Sequence, residues 1–162
     1  MLSSLKKLFL PPPFRAEAHK AYVALVTQAR KPEFYESCRV ADTLDGRFDA
    51  IVLHMFLLIH RLQEADAQFT RALQEAFFYD MDRGLREMGV GDTGVGKRVK
   101  AMAQAFYGRL QPYENGLAGA DALKEALARN LYRGDAPDTQ ALEAAAAYVT
   151  RKLAHLDAHV TG

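Results

Sequence analysis

One glycine-rich stretch, residues 89–97, has the residue types and spacing of a phosphate-binding loop. The dinucleotide-binding pattern G-x-G-x-x-G is met by Gly89, Gly91 and Gly94. The P-loop pattern G-x-x-x-x-G-K is met by Gly91, Gly96 and Lys97, but Arg98 stands where a serine or threonine would hold magnesium. Both patterns require glycines that follow a β-strand and begin a helix. Because residues 69–88 have helical periodicity, we interpret these glycines as a loop between two helices, whose backbone can approach another surface closely.

Charged residues lie on both sides of this loop. The preceding helix carries two pairs at i, i+4 spacing: Asp82 with Arg86, and Arg83 with Glu87. Three cations follow, in the first turns of the next predicted helix: Lys97, Arg98 and Lys100. The helix dipole disfavours cations there unless an anion is near. Two interpretations remain open: a site for phosphate or a partner's carboxylates, or internal compensation by Asp80, Asp82 or Asp92.

No other residues form a convincing catalytic or metal-binding set. His155 and His159 are four apart but have no evident third ligand, and His54 and His60 lie on different sides of their helix. None of the histidines has an acidic residue three positions before it, as a di-iron bundle would need. Cys38 is the only cysteine, which excludes an internal disulfide and predicts a small buried residue. We expect no catalytic residue, no metal and no cofactor, and we interpret His54 and His60 as core or boundary residues.

Composition indicates one helical domain. The chain has 162 residues, of which 49% are hydrophobic and 25% charged, with abundant alanine and no tryptophan. A net charge of +1 produces no field that would recruit nucleic acid, and we expect no DNA binding. Residues 1–14 stand apart as an apolar and basic tail that ends in three prolines. This tail is either a foot that contacts a membrane surface or a partner, or a terminus packed on the domain.

Hydrophobic periodicity predicts about six helices and no strand. They cover residues 16–30, 47–62, 65–88, 95–110, 121–132 and the region from 135 onward. Asp45 is a plausible N-cap, Met88 is placed on the inward stripe, and Pro112 should kink or end the fourth helix. The sixth helix should begin at Asp135 with a start of capping-box type, three residues before Asp138. Short linkers predict a single compact all-α domain over residues 15–162, with antiparallel, bundle-like packing.

The segment around the glycine-rich loop resembles the ubiquinol–cytochrome c chaperone family. The specific block is residues 80–92 leading into residues 97–100. Weaker matches to the family pattern occur in the same order along the chain, at residues 42–49, 54, 61–62, 106–109 and 113–114. The resemblance implies an all-helical, non-enzymatic assembly factor for the cytochrome bc complex, respiratory complex III. Mitochondrial members work with a smaller partner protein and meet newly made cytochrome b at the ribosomal exit tunnel. The short stretch before the domain favours a bacterial member in the cytoplasm, peripheral at the inner membrane.

A chaperone for cytochrome b or another membrane-protein client should expose apolar surface beside a charged rim. The predicted partner-binding residues are Phe78, Tyr79, Asp80, Asp82, Arg83, Arg86, Glu87, Gly89, Gly91, Asp92, Lys97, Arg98 and Lys100. Alternatively, Phe78 and Tyr79 face a second layer of helices. A different class of function is a phosphate-directed binding module, in which the basic helix N-terminus binds ribosomal RNA or an anionic membrane surface.

Overall fold

The computed structural model describes residues 15–62 and 66–160. Seven helices and no strand occupy this part: α1 (Arg15–Ala29), α2 (Pro32–Glu36), α3 (Leu44–Leu62), α4 (Ala67–Glu87), α5 (Asp92–Gly116), α6 (Ala120–Asn130) and α7 (Thr139–Val160). The prediction of an all-α fold is confirmed. The additional helix is α2, which begins at a proline and lies between the first two predicted helices. The predicted tail, residues 1–14, lies outside the described residues.

Helix α3 is the central helix of the fold. It packs against α1, α5 and α7, and the other long helices contact one another in the order α1, α4, α5, α6, α7. Between Gly46 and Leu57, only Arg47 is not buried. This burial explains why apolar residues occupy nearly the whole circumference of α3 rather than one stripe.

Helix α3 begins earlier than the sequence predicted, because Thr43 caps it. The Thr43 hydroxyl accepts a hydrogen bond from the Gly46 amide at 3.1 Å, and the Thr43 carbonyl accepts one from the Arg47 amide at 2.9 Å. The prediction of Asp45 as N-cap is therefore wrong, since Asp45 lies inside the first turn. Gly46 is required by a close approach, because a Cβ at this position would lie 1.9 Å from the Ala41 carbonyl oxygen.

Two further helix ends differ from the sequence-based expectation. Helix α5 continues through Pro112, so this proline does not end it. Helix α7 begins at Thr139, and the Ala141 amide donates to the Asp138 carboxylate at 2.7 Å. Asp138 is thus the capping residue, and the predicted start at Asp135 lies in the preceding loop.

Candidate functional site

The glycine-rich stretch is a connection between two helices, as the periodicity predicted. Helix α4 ends where the Val90 amide donates to the Leu85 carbonyl at 3.1 Å and the Gly89 amide donates to the Arg86 carbonyl at 3.0 Å. Gly89 has a φ of +86°, which completes a Schellman motif. Gly91 is the N-cap of α5. The two remaining glycines lie inside α5: Gly94 and Gly96. The loop is therefore shorter than predicted, and its glycines follow a helix instead of a strand.

Arg86 joins the two helices across this connection. Its guanidinium donates to the Asp82 carboxylate at 2.7 Å and also to the carboxylate of Asp92. Both hydrogen bonds raise the pKa of the Arg86 guanidinium, and the hydrogen bond to Asp82 has the larger effect. Asp92 occupies the first turn of α5, where the helix dipole favours a negative charge. The dipole at this helix end is therefore compensated inside the chain.

A second polar group lies on the side of α4 that faces α1. The Tyr22 hydroxyl donates to the Asp80 carboxylate at 2.5 Å, and Arg83 lies 3.7 Å from Asp80 and 3.6 Å from Glu87. Burial, and then the hydrogen bond to Asp80, raise the pKa of the Tyr22 phenol. Asp80 thus links α1 to α4, whereas the ion pairs of Arg83 with Asp80 and Glu87 lie within α4.

Three cations form the α5 basic patch: Lys97, Arg98 and Lys100. Their side chains are exposed, and among the described residues they have no hydrogen-bond or ion-pair partner. Because α5 begins at Asp92, they lie in its second and third turns, beyond the reach of the helix-end dipole. The nearby carboxylates pair with other groups, as described above. The α5 basic patch can therefore bind an external anion. The side-chain charges would supply the attraction, and the N-terminus of the helix would not.

The two predicted aromatic contact residues lie on different faces of α4. Phe78 is partly buried, with its ring centroid 5.8 Å from that of Phe106 and 6.0 Å from that of Tyr107. Tyr79 is 71% exposed and lines the groove between α1 and α4 together with Val23. The structure thus divides the predicted residues between the α1 side and the α5 side of α4.

Two exposed apolar side chains on the α4–α5 side were not among the predicted contacts. Met88 is 55% exposed, and its predicted inward orientation is wrong, because the helix ends there and the chain turns away at Gly89. Tyr107 is 51% exposed and donates a hydrogen bond to Gln74 on α4 at 3.1 Å. Lys100 and Tyr107 are seven residues apart on α5, so they share one face of this helix.

The most deeply buried charge cluster lies elsewhere and was not predicted. Asp49 of α3 accepts hydrogen bonds from Arg109 of α5 at 2.5 Å and from Arg133, after α6, at 2.7 Å. Arg133 has a φ of +53°, which is unusual for a residue other than glycine. The available sequence signal was an aspartate between Phe48 and the apolar run at residues 50–53 of α3, since a buried carboxylate needs a cationic partner. This cluster ties three segments together: α3, α5 and the segment after α6.

The described residues supply no metal centre and no membrane span. No group of three or more histidine, cysteine, aspartate or glutamate residues is placed to hold a metal ion in the described ranges. None of the described helices is long and apolar enough to cross a membrane. Cys38 is buried, as predicted, and burial raises the pKa of its thiol to about 11.

Known proteins resemble this chain in sequence and in fold. The family model for ubiquinol-cytochrome C chaperones matches residues 36–160. Ubiquinol-cytochrome-c reductase complex assembly factor 1 of Xenopus laevis is 26% identical over 144 residues, which cover 86% of this chain and 72% of that protein. The Mus musculus protein of the same name is 25% identical over 86% of this chain, which spans only 49% of the mouse protein. The crystal structure of the Cbp3 homolog from Brucella abortus is 34% identical, with a TM-score of 0.69 over 98% of this chain and 87% of that one.

Proposed function

Because this chain belongs to the ubiquinol-cytochrome C chaperone family, we propose that it is a non-enzymatic assembly chaperone for the cytochrome bc complex. Its proposed client is newly made cytochrome b. Relatives from frog and mouse carry names that describe assembly of the ubiquinol–cytochrome c reductase complex, which supports the first part. A client of this kind would place the chaperone in the cytoplasm, next to the inner membrane. A small partner protein and the ribosome are further proposed partners.

The proposed client-binding surface is the exposed α5 side of the α4–α5 pair. The observation that supports it is that Lys100 of the α5 basic patch, which has no partner among the described residues, shares a helix face with exposed Tyr107, and that Lys97 lies next to Lys100 on the helix surface at i, i+3 spacing. Met88 adds apolar surface where α4 ends. A membrane protein presents apolar segments that end in polar loops, so apolar contacts can hold the segment while charges orient it.

The charged rim should contribute mainly to encounter and orientation. Exposed charges attract a partner over several ångströms and raise the association rate, and salt screens this effect. Buried apolar contacts are much less sensitive to salt. Client capture by this surface should therefore persist at high salt with a slower association rate.

The test is a pull-down of tagged protein from a respiring bacterial lysate at low and high salt, with bound proteins identified by mass spectrometry. The variant Lys97→Glu/Lys100→Glu reverses two unpaired charges. It should strongly reduce recovery of cytochrome b at low salt, where the reversed charges oppose the encounter, and reduce it less at high salt, where they are screened. The matched control is Arg15→Glu/Lys20→Glu, which reverses two exposed cations on α1. Arg86 is unsuitable for this test, because its reversal would place three carboxylates together and disturb the α4–α5 connection.

Three results would contradict the proposal. One is full capture of cytochrome b at low salt by a folded Lys97→Glu/Lys100→Glu protein, which would move the client to another surface. A second is absence of cytochrome b at both salt concentrations from the unmodified protein. The third is recovery of ribosomes or anionic lipid alone, lost at high salt. That last result would favour a phosphate-directed module, since neutralised phosphates release counterions and binding falls steeply with salt.

A further inference from the structure

An apolar cleft of about 310 Å³ opens between α1, α3 and α7. Six alanine and leucine side chains form most of its wall: Ala21, Ala24, Leu25, Leu57, Leu58 and Leu156. His54 also lines it and shares a hydrogen bond of 2.5 Å with the Tyr148 hydroxyl, and burial lowers the pKa of His54 to about 4. The imidazole is thus neutral at physiological pH, and the interior of the cleft carries no charge. None of these residues belongs to α4 or α5.

One end of the apolar cleft is cationic. Three residues, Gln28, Lys152 and His155, line both the apolar cleft and a neighbouring polar cleft of about 450 Å³. The polar cleft also contains Lys31, Arg151 and Glu33, and the single carboxylate pairs with Arg151 at 2.6 Å. The junction of the two clefts therefore has a positive local charge.

Lys152 is the cation nearest to the apolar wall. Its ammonium donates to the side-chain carbonyl of Gln28 at 2.7 Å and lies 5.6 Å from the centre of the Tyr148 ring. It is partly buried, and within the described ranges no carboxylate forms an ion pair with it. Removing an ammonium from water without an anion is unfavourable, so an external anion at this point would be stabilised.

We propose that the apolar cleft binds a single-chain amphiphile with an anionic head, of the fatty-acid class. The hydrocarbon chain lies along α1, α3 and α7, and the carboxylate contacts Lys152 at the junction with the polar cleft. A volume near the lower end of the range for ligand pockets, about 300–1,000 Å³, favours one chain over the two of a phospholipid. This site lies on other helices than the proposed client surface. It would give the protein a small-molecule ligand in addition to its proposed protein client.

The test is isothermal titration of the full-length, delipidated protein with oleate below its critical micelle concentration. We expect saturable binding of one oleate per chain and a rise in the thermal midpoint with oleate concentration, because a ligand that binds only the folded state stabilises it. Oleyl alcohol, which has the same chain without the charge, should bind about tenfold more weakly, in line with loss of one charge-assisted hydrogen bond.

Two variants locate the site and one controls for charge. Lys152→Gln should bind oleate about tenfold more weakly than the unmodified protein and should no longer distinguish oleate from oleyl alcohol. Ala24→Phe fills the cleft from an exposed position and should abolish binding of both compounds. Lys20→Gln removes an exposed charge from α1 outside the cleft and should leave binding unchanged. Circular dichroism checks the folding of each variant.

The proposal is wrong if the unmodified protein shows no saturable binding. It is also overturned if folded Ala24→Phe binds oleate as well as the unmodified protein does, since the ligand would then lie elsewhere. Equal affinity for oleate and oleyl alcohol would overturn the assignment of Lys152 as the contact for the head group.

Discussion

Arg109 of α5 donates a hydrogen bond to buried Asp49 of α3 at 2.5 Å, across 60 positions of the chain. The side chain of Asp49 is 2% exposed and that of Arg109 13% exposed. Arg133 makes a second contact to Asp49 from the segment after α6, at 2.7 Å. One carboxylate thus links three segments. Loss of one member of such a buried cluster leaves the others without a counter-charge.

Replacing Asp49 with asparagine should lower the free energy of unfolding by about 3–5 kcal/mol, because Arg109 would remain buried without an anion. Urea denaturation measures the change. The control is Asp42→Asn, which breaks an exposed pair with Arg47 and should cost less than about 1 kcal/mol. Equal losses in the two variants would show that the Asp49 cluster contributes no more than a surface ion pair.

Two glycines inside helices should respond in opposite ways to alanine. Gly46→Ala places a Cβ 1.9 Å from the Ala41 carbonyl oxygen, and the required backbone shift should destabilise the protein by about 1–3 kcal/mol. Gly84→Ala meets no heavy atom within 4 Å, and reduced chain entropy should stabilise α4 by about 0.5–1 kcal/mol. Thermal and urea unfolding test both. A stabilising Gly46→Ala would contradict the close packing at the start of α3.

Stability should fall as the pH falls from 6.5 to 4 because of His54. Its pKa is lowered from 6.5 to about 4 in the folded protein, mainly by burial, so the unfolded chain binds this proton first. The contribution of neutral His54 to the free energy of unfolding is complete above pH 6.5 and is lost progressively as the pH falls to 4. The loss amounts to about 3 kcal/mol. The free energy of unfolding, measured in urea across this range, should show the loss. His54→Gln should flatten this pH dependence of the free energy of unfolding, whereas the exposed control His19→Gln should leave it unchanged. Parallel pH curves for the unmodified protein and both variants would exclude His54 as the source.

The Cys38 thiol should react slowly with a disulfide reagent in the native protein. It is buried, and burial raises its pKa to about 11, so little of the reactive thiolate is present at neutral pH. Reaction should become fast when urea unfolds the chain, as followed by absorbance. A Cys38→Ala/Ser37→Cys protein moves the thiol to an exposed neighbour and should react rapidly without urea. Equal native rates for the two proteins would contradict the burial of Cys38.

The helical class and the family could be recognised in the sequence because both depend on local patterns. Apolar spacing along α3 marked a helix buried on nearly all sides. The block at residues 80–92 carried the family resemblance that the family model confirms. The interpretation of the glycine-rich stretch as a connection between two helices also needed only neighbouring residues, since the Schellman motif at Gly89 closes within one turn.

Helix starts were predicted less well because several polar residues compete to cap one helix. Thr43 and Asp45 are both suitable N-caps for α3, and Asp135 and Asp138 are both suitable for α7. The choice depends on where the preceding chain packs. For α3, the approach of Ala41 to Gly46 puts Thr43 in position to cap.

The amino-acid sequence by itself determined that this protein is all-helical, where most of its helices lie and which family it resembles. These properties follow from side-chain spacing within a few turns of helix. Only the tertiary structure decided that Asp49 accepts hydrogen bonds from Arg109 and Arg133, and that Lys152 lines an apolar cleft between α1, α3 and α7. It also placed Phe78 and Tyr79 on different faces of α4. The physical reason is that such contacts join residues tens of positions apart, and their pairing depends on how whole helices pack.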